Sequence, residues 1–516
     1  MNLKYIKSIF PLLTISLCLS LGSCVNDLDV TPIDPNSVTA FNQEAVFTKI
    51  YASLSLTGQQ GPAGNSDISG LDEGTYGFLR QMWNFQEMPT DEAVCAWGDT
   101  GIPELNFITW NSSTAFISGF YQKLMIGVTL CNRFLELTTD ETDDASLKQR
   151  AETRFIRALY YYYLMDLFGN PSFTTTVSTE APQQIKRADL FAFLETELQE
   201  CVTDMYDPQT APYGRADKAA AWLLLSRLYL NAEVYTGTAH WSDAAEYSYK
   251  VITSGYTLCP DYEQLFMADN SGANDPYGSP STVNKATDEI ILPILTDGVD
   301  TKSYSNMQFI IASTHTADMP GWGSTAGWGG NRARPNLVDK FTTTNDARYL
   351  FFSTDRTKDI SNTQTFKEGY SVTKFSNIRA DGGAVHDVEY VDTDFPLLRA
   401  AEAYLTYAEA VVRGGTAQAM TALDAINEVR HRAGLVNLQS LTSADQVLDE
   451  KAREFYFEGQ RRTDLIRFGY FTSSSYVWQW KGGVQAGNGV ASTYNLYPIP
   501  SADLSANANL VQNPGY

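Results

Sequence analysis

The sequence predicts an all-α fold, in which helical hairpins of the tetratricopeptide type support a large, loop-rich face. Three observations lead to this prediction. Apolar residues recur at helical spacing along much of the chain, and the clearest of these helices come in pairs. Two long segments without helical spacing are instead rich in Gly, Ser, Thr, Asn and Pro. The chain therefore combines a regular scaffold with long irregular insertions.

The first residues have the pattern of a signal peptide. Lys4 and Lys7 precede a short apolar stretch at 9–19. Because that stretch is too short to cross roughly 30 Å of hydrocarbon, a cleaved signal fits better than a transmembrane helix. The stretch ends in Leu21-Gly22-Ser23-Cys24, which resembles a bacterial lipobox.

A lipobox implies cleavage after Ser23 and lipid on Cys24, and such lipid tethers a protein without any spanning helix. The Pro and Asp content of the residues that follow Cys24 disfavours regular structure. We therefore predict a signal peptide at 1–23, a lipid-anchored tether at 24–35 and a single domain at 36–516.

Composition excludes some classes of partner. Hydrophobic residues make up 43% and aromatic residues 12% of the chain, which is enough for a substantial core. Its 37 Lys and Arg against 60 Asp and Glu give a net charge of −23, which disfavours nucleic acid and anionic headgroups as partners.

The cysteines give no sign of a metal site. Beyond the leader they are isolated, without the spacing of metal ligands: Cys95, Cys131, Cys201 and Cys259. Buried free thiols are the simpler interpretation, and a disulfide is the alternative outside the cytoplasm.

The helices follow from apolar spacing and from the residues that end them. Gly169-Asn170-Pro171 ends one long helix, whose stripe is Phe155, Leu159, Tyr162 and Met165. The two hairpins are predicted at 216–232 with 241–254, and at 396–413 with 417–433. Leu448, Ala452 and Phe455 mark a further helix. The segments at about 57–112 and 270–395 are the irregular insertions, and loops of that length tend to carry function.

The sequence offers little for catalysis. Its four histidines are scattered, and it contains no H-E-x-x-H, G-x-S-x-G or P-loop motif. Glycoside hydrolysis needs only two carboxylates, and Asp91-Glu92 is the most tempting pair, although capping of the next helix or turn is the commoner role. We therefore predict that the protein is not an enzyme and keep an extracellular glycosidase as the alternative.

Aromatic residues in the irregular segments suggest a binding surface instead. Trp83 and Trp97 flank the acidic pair, Tyr304 follows a loop, and Trp322 and Trp328 lie in a Gly- and Ser-rich run. Exposed rings among glycines would form a platform for sugars, because the C–H groups of a pyranose face stack on aromatic rings. The alternative is that these rings pack down onto the helices.

Several motifs resemble the SusD/RagB family of outer-membrane lipoproteins, and the resemblance covers essentially the whole mature chain. The motifs are R-F-I-R-A-L-Y at 154–160, G-R-A-D-K-A-A at 214–220, F-P-L-L-R-A-A-E-A-Y-L at 395–405, E-K-A-R-E-F-Y-F-E-G-Q-R-R at 450–462 and Y-P-I-P at 497–500. Membership implies a helical fold, capture of glycan at the cell surface and transfer to a SusC-like TonB-dependent outer-membrane transporter, with no bond broken.

Within this family the chain looks closest to the starch-binding founding member, which implies α-glucan or malto-oligosaccharide as ligand. The resemblance implies an aromatic arc of Trp97, Tyr304 and Trp328, supported by Arg80. Thr100 stands where the family pattern has an asparagine, so one hydrogen bond to sugar differs. Another glycan or a peptide is the alternative ligand.

No cofactor is implied by any of these motifs. A structural cation such as calcium near Asp269 and Asp288 is left open, although acidic loop residues are commonly just solvated.

Overall fold

The computed structural model describes residues 41–516, so Cys24, the predicted signal peptide and the tether at 24–35 lie outside the described residues. Val46–Tyr516 form one unit and Met1–Ala45 a second, of which only residues 41–45 are described. Across the described part helices dominate and strands are few and short, as the all-α prediction requires. Among its helices, none is long and apolar enough to cross a membrane.

The helices before residue 260 are α1 (Gln43–Ser55), α2 (Phe78–Gln86), α3 (Ile102–Phe107), α4 (Ala115–Leu137), α5 (Asp144–Phe168), α6 (Arg187–Cys201), α7 (Lys218–Leu230), α8 (Ala232–Thr236) and α9 (Trp241–Ile252). The later helices are α10 (Met307–Thr314), α11 (Pro335–Val338), α12 (Ala400–Val412), α13 (Ala422–Arg432), α14 (Ala444–Phe455), α15 (Arg461–Arg467) and α16 (Ser501–Ala506).

The strands are β1 (Ala93–Cys95), β2 (Ser172–Phe173), β3 (Gln183–Gln184), β4 (Ile290–Ile294), β5 (Asn331–Ala333), β6 (Phe351–Phe352), β7 (Ser371–Val372) and β8 (Phe395–Arg399). They pair only as two-stranded antiparallel ladders within residues 41–516: β1 with β5, β2 with β3, β4 with β8, and β6 with β7.

Both predicted helical hairpins are confirmed. The first is α7 with α9 and the second is α12 with α13, and α9 also packs against α12, which joins the two hairpins. Small buried residues such as Ala220 and Ala408 let the helix axes approach closely. Side-chain caps fix where two of these helices begin, since Asp217 accepts from the Ala220 N–H at 3.1 Å and Thr421 from the Asp424 N–H at 3.0 Å.

Both predicted starts in the second hairpin are wrong. The helix predicted at 396–413 starts four residues late, because Phe395–Arg399 form β8 and α12 begins at Ala400, and the helix predicted at 417–433 starts five residues late, since Thr421 caps α13 at Ala422. All five residues of β8 are buried, and they pair with β4. A short, wholly buried apolar run has the same periodicity signal in a strand as in a helix, so spacing alone could not separate the two.

The irregular segments at 57–112 and 270–395 are long connections, as predicted, but they contain short elements. The first includes α2, β1 and α3, and the second includes α10, α11 and the strands β4 to β7. Because β1 pairs with β5, the two segments are joined to each other as well as to the helical scaffold.

Two family motifs, at 395–405 and 450–462, contribute to a buried network of ion pairs around Arg399. Its guanidinium contacts the carboxylates of Glu289, Glu454 and Glu458, with 2.7 Å to the nearest oxygens of the first and last, and no side chain here is more than 1% exposed. Arg432 pairs with Glu289 at 2.8 Å and with Glu454. We call these five residues the Arg399 network. Since every member has an oppositely charged partner, the cost of removing the charges from water is offset.

The four cysteines beyond the leader are buried and unpaired, which confirms the simpler interpretation of them as free thiols. Burial raises the pKa of each thiol to about 12. They are therefore protonated packing residues at neutral pH.

Candidate functional site

A short ladder brings together the loops that carry Trp97 and Trp328. Pairing of β1 with β5 continues past the strands, since the Ala96 N–H donates to the Gly330 carbonyl at 2.9 Å. The Trp328 N–H donates to the Ala312 carbonyl in α10 at 2.6 Å, which ties the second loop to the scaffold. Two tryptophans that are 231 residues apart in sequence are thereby held side by side.

The side chains of Trp97, Trp328 and Tyr304 form a row of half-buried rings, which we call the aromatic arc. The Trp97 and Trp328 centroids are 6.4 Å apart with planes inclined by 50°. The Trp328 and Tyr304 centroids are 5.8 Å apart with planes inclined by 64°. Trp97 Nε1 also donates to the Trp328 carbonyl at 3.4 Å. Because both steps are steeply inclined, the rings present a bent surface instead of a flat strip.

Glycines make this packing possible. A side-chain carbon at Gly330 would lie 2.4 Å from the Trp97 ring, and one at Gly74 would lie 3.2 Å from Cβ of Tyr304. The first distance is far inside van der Waals contact, so only glycine lets the β5 loop approach the indole. Gly330, one glycine of the Gly- and Ser-rich run, is therefore required by the position of Trp97.

Arg80, on α2, lies against the aromatic arc. Its guanidinium is 5.8 Å from the Trp97 ring centroid and 4.5 Å from that of Phe309. Nη1 donates to the carbonyls of Gly74 and Tyr304. Burial lowers the pKa of Arg80 to about 10, so the group stays charged at neutral pH. Within the described residues its buried Nε has no hydrogen-bond partner. Arg80 thus contacts both ends of the arc, the Trp97 ring and the Tyr304 backbone carbonyl.

Thr100 is exposed, three residues after Trp97, and it immediately precedes the Gly101 cap of α3. Another polar side chain lies on the same loop surface, because a side-chain carbon at Gly98 would be 3.5 Å from Nε2 of Gln364. The structure therefore adds an exposed amide beside the loop that runs from Trp97 to Thr100.

Sequence reasoning missed a fourth ring next to the arc. The Tyr390 centroid is 5.6 Å from that of Tyr304, and its hydroxyl donates to the Tyr304 hydroxyl at 2.8 Å. Phe309, which supports Arg80 and Trp97, was also missed and is fully buried in α10. No local signal marks either residue, because a single aromatic side chain in a long loop or a short helix has no period to distinguish it.

Two of the five loop aromatics are core residues, so their predicted place in an exposed platform is wrong. Trp83 is fully buried on α2, and its Nε1 donates to the Phe457 carbonyl at 3.1 Å. Trp322 stacks on His315 with centroids 4.9 Å apart, and its Nε1 donates to the Ala326 carbonyl at 3.1 Å. For these two rings the alternative, packing down onto the scaffold, is correct.

The acidic pair Asp91-Glu92 is buried and committed to structure. Asp91 accepts two bonds of 2.8 Å from Arg461 and one of 2.6 Å from the Tyr476 hydroxyl. Burial opposes ionisation of Asp91, but the charge and bonds of Arg461 outweigh it and lower the pKa to about 2. Burial, with the neighbouring Glu87, raises the pKa of Glu92. At 1% and 2% exposure, neither carboxyl can reach a polysaccharide.

Asp269 and Asp288, the acidic residues considered for a cation, lie in different surroundings. Asp269 is buried and its oxygens accept from Asn284 Nδ2 at 3.0 Å and from the Ala380 N–H at 2.9 Å. Asp288 is exposed. Across residues 41–516, no group of three or more His, Cys, Asp or Glu could hold a metal ion.

Two family models match the chain. The SusD family matches residues 339–516, and a family described as starch-binding and associating with the outer membrane matches residues 28–230. Among solved structures the chain is similar to surface glycan-binding protein A from Bacteroides fluxus, with a TM-score of 0.70, 18% identity and coverage of 92% of this chain and 99% of that one.

A second similar structure is surface glycan-binding protein A from Bacteroides thetaiotaomicron in complex with laminarihexaose, with a TM-score of 0.69, 19% identity and coverage of 91% and 98%. These two likenesses concern the fold. The starch-binding protein SusD of Bacteroides thetaiotaomicron is 42% identical, and the alignment covers 100% of both chains. With this identity over the full length, the chain belongs to the SusD family of glycan-binding proteins.

Proposed function

We propose that this protein captures starch-like α-glucan on the aromatic arc and delivers malto-oligosaccharide to a SusC-like TonB-dependent transporter without cleaving it. The observation that carries the choice of glycan is the inclination of the rings, 50° between Trp97 and Trp328 and 64° between Trp328 and Tyr304. An α-1,4-glucan coils, so successive glucose units turn their faces through large angles. A flat β-1,4-glucan would instead favour coplanar rings.

Polar groups beside the rings complete the proposed site. Arg80 carries a charge at neutral pH close to the Trp97 ring, which suits it to donate to glucose hydroxyls at that end. Thr100 offers a hydroxyl on the same loop, a weaker and shorter group than an amide. A neutral sugar is also not repelled by a chain with a net charge of −23.

The proposal includes no hydrolysis. Retaining and inverting glycosidases need two carboxyl groups that flank the scissile bond, and both members of the Asp91-Glu92 pair lie buried beside Arg461. Incubation of the purified protein with amylose should release no reducing sugar. Release that exceeds a boiled control would overturn this part.

The proposed location is the cell surface, where lipid on Cys24 and the tether at 24–35 would anchor the protein to the outer membrane. The lipobox supports it, as does the match to a family described as associating with the outer membrane. A Cys24→Ser variant should lose incorporation of labelled palmitate and leave the membrane fraction, whereas a Cys201→Ser control should keep both. A SusC-like transporter should co-purify with the wild-type protein from detergent-solubilised outer membranes.

Isothermal titration calorimetry tests the binding function. Maltoheptaose should bind the wild-type protein, and laminarihexaose, cellohexaose and short peptides should bind more weakly. The Trp97→Ala/Trp328→Ala double variant should lose binding and its retention in a starch-containing affinity gel. Trp222→Ala is the matched control, since it removes a half-buried tryptophan from α7, outside the arc. Normal retention of the double variant would refute the site, and preference for laminarihexaose would refute the choice of glycan.

A further inference from the structure

The row of rings does not end at Tyr304. Successive centroids are 6.4 Å apart from Trp97 to Trp328, 5.8 Å from there to Tyr304 and 5.6 Å onward to Tyr390. The last step is inclined by 34°, less than the others. Like the first three rings, Tyr390 is half-buried, so part of its surface meets solvent.

The hydroxyl groups at this end form a relay to a carboxylate. The Tyr390 hydroxyl donates to that of Tyr304 at 2.8 Å, which in turn donates to Glu389 Oε1 at 3.2 Å. Burial and the hydrogen bond to Tyr304 raise the pKa of Tyr390, so its hydroxyl stays protonated and able to donate. Glu389 itself is exposed. An exposed carboxylate is therefore held beside two aromatic rings.

The loop that carries these groups is held in place by its own contacts. The Asp387 carboxylate accepts from the Glu389 N–H at 2.7 Å and the Tyr390 N–H at 3.2 Å, and it pairs with Lys302 at 2.9 Å. The Lys302 ammonium is also 5.2 Å from the Tyr390 ring centroid. On the other side, Ser324 donates to the Glu389 carbonyl at 3.1 Å. The position of Tyr390 is thus fixed from two sides.

We propose that Tyr390 and Glu389 form an additional sugar subsite that extends the aromatic arc by one pyranose unit. The Tyr390 ring supplies a stacking surface, and the Glu389 carboxylate accepts hydrogen bonds from the hydroxyl groups of the same sugar. The inference rests on the proposed function, because it places one more unit of the same chain. Its consequence is a dependence on length: oligosaccharides that span four rings bind more tightly than those that span three.

Calorimetry with the series from maltotriose to maltoheptaose tests the subsite. In Tyr390→Ala, affinity for the longest oligosaccharide should fall about tenfold, which corresponds to the loss of one stacked ring, while maltotriose affinity changes little. Tyr390→Phe is the matched control, since it keeps the ring and removes only the hydroxyl. Glu389→Gln, which keeps one acceptor oxygen, should lose less than Glu389→Ala.

Equal loss of affinity for short and long oligosaccharides in Tyr390→Ala would overturn the subsite, because Tyr390 would then act only by holding Tyr304. Unchanged affinity for every length would overturn it as well. Neither result touches the proposed function, which is tested separately by the binding of malto-oligosaccharide to the wild-type protein and by the Trp97→Ala/Trp328→Ala variant. Circular dichroism and thermal unfolding of each variant establish that the fold is intact.

Discussion

Around Arg399, charged side chains are buried and form ion pairs with one another, whereas around Trp328 the aromatic rings are only half-buried. The Arg399 network satisfies almost every charge internally, with side chains no more than 3% exposed. The rings of the aromatic arc are only half-buried, and Gly330 lets the backbone approach the Trp97 indole closely. The difference shows where the family motifs act: they stabilise the scaffold, and the ligand surface depends on residues outside them.

The largest expected effect is on the scaffold side of this comparison. Arg399→Met leaves Glu454 and Glu458 buried with less compensating charge, so the free energy of unfolding should fall by about 3–5 kcal/mol. Urea denaturation followed by circular dichroism measures it. Arg133→Met is the control, because its ion pair with Glu136 is 3.7 Å long and Arg133 is 56% exposed. Similar losses in the two variants would contradict a special role for burial.

The second-largest expected effect is a loss of scaffold stability in acid. Burial opposes ionisation of Glu450, but the charge of Arg348 and then of Arg453 lowers its pKa from 4.5 to about 2. A carboxyl with a lowered folded-state pKa contributes stability above pH 4.5 and loses it as pH falls toward 2, here about 3 kcal/mol. Denaturation at pH 7, 4.5 and 2.5 checks this. Glu450→Gln should be less stable at pH 7 and show a shallower decline below pH 4.5, and an unchanged slope would refute the assignment.

Removal of one ring should affect binding and spare the scaffold. Trp328→Ala removes the central ring of the arc, which contacts both Trp97 and Tyr304, so binding of maltoheptaose should weaken by about 1–3 kcal/mol. Its unfolding free energy should change much less than that of Arg399→Met. Trp328→Phe should recover part of the affinity. The separation of the two regions breaks down if Trp328→Ala destabilises the fold as strongly as the loss of Arg399.

The smallest expected effect concerns Thr100. Thr100→Asn restores a longer amide on the exposed loop next to Trp97, and one added hydrogen bond to sugar is worth about 1 kcal/mol. Calorimetry with maltoheptaose should therefore show a modest gain in affinity, with Thr100→Ala equal to the wild type or slightly weaker. Weaker binding by Thr100→Asn would mean that the hydroxyl is itself the preferred donor at this position.

Much of the scaffold followed from local pattern. The helix stripe from Phe155 to Met165 lies within α5, and Gly169, with a φ of +72°, ends it as expected. The two hairpins and α14 were likewise predicted. The error at Phe395–Arg399 has a physical cause, since a buried strand and a buried helix share the same apolar composition.

The ligand surface followed much less from pattern. Spacing did not separate Trp97 from Trp83, although one ring is half-buried and the other fully buried. Family resemblance supplied Trp97, Tyr304 and Trp328, and no route from the sequence led to Tyr390. Loop aromatics have no period, so whether each packs inward or faces water depends on what surrounds it.

By itself the sequence determined the helical hairpins and the acidic charge, because helix periodicity and charge are properties of neighbouring residues or of the whole chain. Only the tertiary structure decided which rings form a surface. Trp97 meets Trp328 across 231 residues through the β1–β5 ladder, and Tyr304 meets Tyr390 across 86. Contacts between such distant residues arise from packing of the whole fold, which no local pattern encodes.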